Sequence, residues 1–287
     1  MKNILVPTDF SENAWNALQY AISLFENDRV AFYLLNAYHS HYFTTDTLLV
    51  PENVEVAYEK ARTTSEQGLK ELLIRLEPYK NENHSFKTVS IYNATVEAVS
   101  EVTKKYKIKL VVMGTMGEND ALDKVYGTNA VNVMKKIHRC PVLVIPEHAS
   151  YHKSGKKEVV FATNFRDTYR KRTLKYLPEI AKNYSASLRI LYIQETERSL
   201  SSEQEENKEW LQEYVKDVSH SFHTLTKIEL GAGIHSFIQS RGSHMLAIIN
   251  KKHNFFNSIF SGSIIEEIGQ KPRIPVLVLQ DWEDRRQ

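Results

Sequence analysis

"ILVPTDF", Ile4 to Phe10, returns as "VVFATNF", Val159 to Phe165, and this pairing organises everything between the two stretches. Each is a short apolar run that closes on a threonine, an Asp or Asn, and a phenylalanine. A continuous apolar run of that length is the form a strand takes when both faces of a parallel sheet are covered. The two copies also end alike: "CPVLVIP", Cys140 to Pro146, is answered by "IPVLVLQ", Ile274 to Gln280. The chain reads as one unit written twice, the second copy shorter inside. "EHASYHKSGKKE", Glu147 to Glu158, lacks apolar periodicity and reads as the linker.

Inside the first copy, "NILVP", "VAFYLLNAY", "FKTVSIY", "IKLVVMG" and "PVLVIP" are strand-like. Between them run helix patterns: one after Ser11, a natural cap, with Ala14, Leu18, Ala21, Ile22 and Phe25 on one face; one from Pro51 to about Tyr79; one from Thr95 to about Tyr106; and one from Gly127 to His138. The second copy repeats the order as "EVVFA", a helix over Thr173 to Lys182, "LRILYIQ", a polar helix with Leu211, Val215 and Val218 inward, "TLTKIEL", "GIHSFIQS", "HMLAIIN", a helix from Ser263, and "IPVLVLQ". Strands alternating with helices imply right-handed crossovers onto a parallel sheet. The expected fold is α/β, two tandem doubly wound, Rossmann-like domains, at 1–147 and 157–287.

Composition narrows the function. The chain has 287 residues, with 37 Lys+Arg against 35 Asp+Glu for a formal charge of +2, so no global field recruits nucleic acid or an anionic membrane. Its apolar runs fall short of the ~18 residues a bilayer span needs, and the run after Met1 is shorter than a signal-peptide core. A cytoplasmic location is expected. The single cysteine, Cys140, lies among apolar neighbours and reads as a buried structural thiol.

Three of the ten glycines fall in "VVMGTMGENDALDKVYGTN", at Gly114, Gly117 and Gly127. Gly114 and Gly117 follow the fourth strand, on the edge of an open α/β sheet where ligands bind. There they let backbone N–H groups approach an anion and permit the positive φ of an anion-holding nest. Gly127-Thr128 opens a helix, whose free N–H groups and dipole favour phosphate. Together they point to a phosphate site; taken singly they are also compatible with a turn, a loop filler and a helix entry. Asp9 reads either as a ligand contact or as a cap, and Ser11 is the better cap. Lys124 reads as a surface charge.

The set "ILVPTDFS", "VVMGTMG", G-x2-G-x9-G-[ST] and "CPVLVIP" resembles the universal stress protein family in its tandem two-domain form. The resemblance implies an adenine nucleotide, ATP with or without Mg2+, at this edge. Pro7, Thr8 and Asp9 would flank the adenosine and Ala37 would offer backbone groups to the base. Met113, Gly114, Thr115, Gly117, Gly127, Thr128 and Asn129 would hold ribose and phosphates. The resemblance also implies that the two last strands pair about a pseudo-twofold, and that such chains associate as homodimers.

The second copy departs from this pattern. Asn164 replaces the acid, and "IINKKHNFFNSIFSGS" places Asn250 and His253 where two glycines are expected. No nucleotide is expected there. Gly231 and Gly233 read as a tight strand-to-helix turn, and Phe255, Phe256, Ile259 and Phe260 as a plug over the degenerate edge. His235 and His253 lack a third ligand at fixed spacing, so no metal is expected. No P-loop, HExxH helix or Ser/His/Asp order appears, and no catalytic residues are assigned. The leading expectation is a nucleotide-binding stress-response module. An interaction scaffold and a slow ATPase are the alternatives.

Overall fold

The computed structural model describes residues 1–39, 54–115, 127–166, 169–250 and 274–281. In the first half, β1 (Lys2–Pro7), α1 (Glu12–Leu24), β2 (Val30–Tyr38), α2 (Val54–Arg75), β3 (His84–Tyr92), α3 (Thr95–Lys105), β4 (Leu110–Gly114), α4 (Thr128–Lys136) and β5 (Val142–Ile145) alternate as the patterns predict. The second half runs β6 (Lys157–Thr163), α5 (Lys171–Leu174), α6 (Tyr176–Asn183), β7 (Ala186–Gln194), α7 (Ser202–Tyr214), β8 (His220–Thr226), α8 (Leu230–Arg241), β9 (Met245–Asn250) and β10 (Val276–Gln280).

All ten described strands form one sheet, ordered β3-β2-β1-β4-β5-β10-β9-β6-β7-β8. Each half is parallel throughout, and the halves meet where β5 and β10 pair antiparallel, with Leu143 opposite Leu277. That junction is the pseudo-twofold, since each half reads outward from it in the same order. The last strands, edge liabilities when unpaired, cover each other within the chain. β3 and β8 are the edges left.

Alternation along the strands sends side chains to two faces. One face carries Ile4, Phe32, Leu143, Phe161 and Leu277 with α1, α2, α6 and α7; the other carries Leu5, Leu35, Val142, Val160 and Val278 with α3, α4 and α8. Each core contains residues of both halves, so the two halves bury their apolar surface together. Polar contacts add to the join: Lys2 pairs with Asp28 at 2.6 Å and with Glu179 of the second half, and Asn183 donates to Asp28 at 2.8 Å. The connecting stretch is fastened too. Asn16 donates to the carbonyls of Pro146, Glu147 and Ala149, and the buried Lys157 donates to the His152 carbonyl. Lys157 and Glu158 open β6 instead of closing a linker.

Three second-half expectations change. The helix over Thr173 to Lys182 is broken at Lys175, because Pro178 has no N–H to offer the Leu174 carbonyl one turn back. The third strand is "HSFHTLT", and Glu229 and Leu230 of the expected "TLTKIEL" cap and begin α8. Gly231 and Gly233 lie in α8, not in a turn; a Cβ on Gly233 would come within 2.9 Å of Ile193 Cδ1, so glycine lets this helix seat on β7. Val215 and Val218 are buried as expected but lie past the end of α7. The expected helix from Ser263, and the Phe255 to Phe260 cluster, lie outside the described residues.

Candidate functional site

β1 has β2 on one side and β4 on the other, so the chain reverses direction across the sheet at β1, the switch point where open α/β sheets take ligands. An open cleft lies there, at the carboxyl ends of β1, β2 and β4. Pro7, Thr8, Asp9, Ala37, Met113, Gly114, Thr115 and Asn129 line it, together with Ala14, Leu35, Thr95 and Ala130. Gly127 and Thr128 stand just behind, as the cap and first residue of α4. Gly117 and Lys124 lie outside the described residues.

The first turns of three helices reach this cleft: Ala14 in α1, Thr95 in α3, Asn129 and Ala130 in α4. Their dipoles add positive potential where they converge. The α4 end is the most receptive to an anion, since Gly127 brings no side-chain cap and no acid sits in its first turn.

The loop after β1 is held by its own side chains. Thr8 Oγ1 accepts the Phe10 N–H at 3.0 Å, which fixes Phe10 at φ 68°, a left-handed conformation that is uncommon for a bulky residue. Asn36 Nδ2 donates to the Thr8 carbonyl at 2.8 Å. Asp9 Oδ1 accepts the Ser11 N–H at 3.1 Å and the Ser11 hydroxyl at 2.6 Å, while Ser11 Oγ accepts the Ala14 N–H at 3.2 Å. Ser11 is therefore the cap, as expected, but Asp9 is not released by it: one carboxylate oxygen braces the capping hydroxyl. The second half builds the same loop, with Phe165 at φ 54°, Thr163 Oγ1 accepting the Phe165 N–H at 3.2 Å, and Asn164 Oδ1 accepting the Arg166 N–H at 3.0 Å.

Gly114 and Gly127 work differently from a nest. Neither Gly114 nor Gly127 adopts a positive φ; the positive-φ glycines among the described residues are Gly155 and Gly242. Gly127 is extended, at φ −62° and ψ 152°. What Gly114 supplies is space, because a Cβ there would lie 2.9 Å from both Cγ and Oδ1 of the buried Asn13. Asn13 packs over the end of β4, its Nδ2 3.5 Å from Thr115 Oγ1. Thr115 ties the region together, its N–H donating to the Ile145 carbonyl at 3.1 Å and its carbonyl accepting the Gly127 N–H at 2.6 Å. That last bond closes the segment between Thr115 and Gly127 at its base.

Strand register shows how the second half differs. Lys2 pairs with Val30 and Lys157 with Ala186, which puts Ile193 at the position of Ala37. Leu5 pairs with Val111 and Val160 with Leu246, which puts Ile249, not Asn250, at the position of Gly114. Two branched side chains replace an alanine and the glycine of the wall. Elsewhere, Cys140 is buried, and burial pushes its thiol up to about 12, an unreactive group. His235 lies in α8 and His253 outside the described residues. Among the described residues no three His, Cys, Asp or Glu side chains group to hold a metal, and no helix is long and apolar enough to cross a membrane.

Solved structures share this architecture. A universal stress protein from Archaeoglobus fulgidus DSM 4304 superposes with a TM-score of 0.71 at 15% identity, over 99% of this chain and 97% of its own. A Pseudomonas aeruginosa UCBPP-PA14 protein named for the same family gives 0.60 at 13%, over 98% and 93%. A functionally unknown protein from Pseudomonas aeruginosa PAO1 gives 0.59 at 13%, over 98% and 92%. At such identities the likeness is one of fold. No curated protein matches the chain. The family model of the Universal stress protein family matches residues 1–146, half of the sequence, and the chain belongs to that family.

Proposed function

We propose that the first half binds an adenine nucleotide, ATP with or without Mg2+, in the cleft at the β1 switch point, and that the chain is a cytoplasmic regulatory module of the stress response. The observation that carries this reading is the convergence of Pro7, Thr8, Asp9, Ala37, Met113, Gly114, Thr115 and Asn129 on one cleft. Those residues come from three separate strand ends and a helix start. The first turns of α1, α3 and α4 supply dipoles for phosphate. Asp9 is the carboxylate of the cleft wall and would take a ribose hydroxyl. No catalytic base is assigned, and the second half takes no nucleotide.

Asp9→Asn tests the reading. Asn164 holds the same turn in the second half, so the substitution keeps the loop and removes only the charge. ATP affinity by calorimetry is expected to fall on the order of tenfold, the worth of a charge-assisted hydrogen bond. An affinity equal to wild type removes Asp9 from the site.

A further inference from the structure

Away from the cleft, two buried amides of the second half converge on one carbonyl of the first. Asn250, the last residue of β9, donates through Nδ2 to the Met134 carbonyl at 3.1 Å and to Gln280 Oε1 at 2.8 Å. Gln280, the last residue of β10, donates through Nε2 to the same Met134 carbonyl at 3.0 Å. Met134 lies in the last turn of α4, where helix carbonyls have no intrahelical donor left. The helix supplies no glycine cap of its own, for the chain leaves it extended at Ile137. Its C-terminal end is closed by the other half.

The main chain that carries the two amides is fixed. Thr173 Oγ1 donates to the Gln280 carbonyl at 3.2 Å, and the Asp281 N–H donates to the Asn250 carbonyl at 3.2 Å. Register makes the pair asymmetric: Gly114 pairs with Ile145, and Ile249 with Leu279, so Asn250 and Gln280 fall where the first half has Thr115 and Pro146. The first half has no amide at either position. These donors therefore belong to the second half alone, and they sit on the helix whose other end brings Asn129 and Ala130 into the cleft wall. Nine residues of helix, about 13 Å, separate the two ends, short enough to move as a rod.

We infer that Asn250 and Gln280 are positioning residues for the nucleotide cleft, setting α4 along its axis from the far end. The inference rests on the nucleotide reading of the cleft. The second half thereby serves the first, since its strand ends carry Ile193 and Ile249 against a site of their own and brace the neighbouring site instead. A ligand that tightens the α4 N-terminus and the amide caps that hold its C-terminus are coupled through one helix.

The experiment uses the full chain with Asn250→Leu and Gln280→Met together, which keep shape and remove both donors. Hydrogen exchange of the α4 amides is measured without nucleotide, and ATP affinity by calorimetry. Glu179→Ala, which breaks an interhalf ion pair on the opposite face of the sheet, controls for general loosening. The double variant is expected to exchange at least tenfold faster across α4 and to bind ATP about tenfold more weakly, within the usual range of coupling. Glu179→Ala is expected to change neither. Gln280→Met alone keeps the Asn250 donor and should fall between wild type and the double variant; it carries the test where the double variant does not fold. Wild-type exchange in α4, or faster exchange with wild-type ATP affinity, overturns the positioning role and leaves the nucleotide reading intact. A wild-type chain that binds no ATP overturns the nucleotide reading first, and the positioning role with it.

Discussion

Gly114→Val is expected to abolish the proposed ATP binding, with affinity falling at least a hundredfold while the chain stays folded. A Cβ at this position would already lie 2.9 Å from Asn13 Cγ and Oδ1, and valine adds two methyls to it. Asn13 is buried on α1, so its amide cannot swing out to solvent. Either it is pushed into the cleft, or the end of β4 moves and takes Thr115 with it. The second outcome breaks the 2.6 Å bond from the Gly127 N–H to the Thr115 carbonyl, beside the α4 N-terminus. Overpacking of this kind costs about 1–3 kcal/mol, tolerable for a chain with two shared cores. Calorimetry with ATP, beside a circular dichroism melt that shows a folded protein, checks it. A folded Gly114→Val protein with wild-type affinity would remove the cleft from the account.

Leu143→Asp unfolds the protein. Leu143 is 0% exposed, at the centre of the antiparallel junction, and its partner Leu277 is equally buried. Both belong to the core face shared by α1 and α6. A carboxylate there has no cation among the apolar residues of that face, and burying an unpaired charge costs at least ~4 kcal/mol. That is a large part of the ~5–15 kcal/mol that holds a typical domain folded. Leu143→Met, which conserves volume, is expected to cost less than about 1.5 kcal/mol. Urea denaturation of both variants decides it. Near-wild-type stability in Leu143→Asp would mean that the halves fold without their shared sheet.

The fold was legible because its strands are buried on both faces, so they stand in the sequence as continuous apolar runs that repeat. Where that signal weakens, the reading slipped. β8 is an edge strand whose "HSFH" start carries polar residues, so the expected strand begins late and runs on into Glu229 and Leu230, which cap and begin α8. Pro178 breaks a helix whose apolar periodicity continues across the break. The cleft was partly legible for a similar reason. Glycines and an acid after strands announce themselves, so Asp9 and Gly114 are legible from the residues, whereas Pro7, Thr8, Ala37, Met113 and Thr115 follow only from the family resemblance. Ala14, Leu35, Thr95 and Ala130 were missed, although a threonine opening the helix after the third strand, Thr95, obeys the same strand-end rule. Asn13 carries no motif, and its bearing on Gly114 follows only from α1 packing over β4. The assignment of Asn250 to the Gly114 position was out by one residue, a difference that only strand pairing reveals. The physical role of Gly114 changed as well, from backbone freedom to room for a neighbour.

The duplicated β1 loop shows why two similar halves need not bind alike. Phe10 and Phe165 share a left-handed backbone, and each is held by the threonine two residues before it. The frame is common to both copies. The walls differ, with Ala37 and Gly114 on one side and Ile193 and Ile249 on the other.

The central claim is a single nucleotide site in a two-copy chain, and the stoichiometry of ATP binding to the purified full-length protein tests it most directly. Calorimetric titration is expected to give one ATP per chain. Two equivalents per chain, or none, would contradict it.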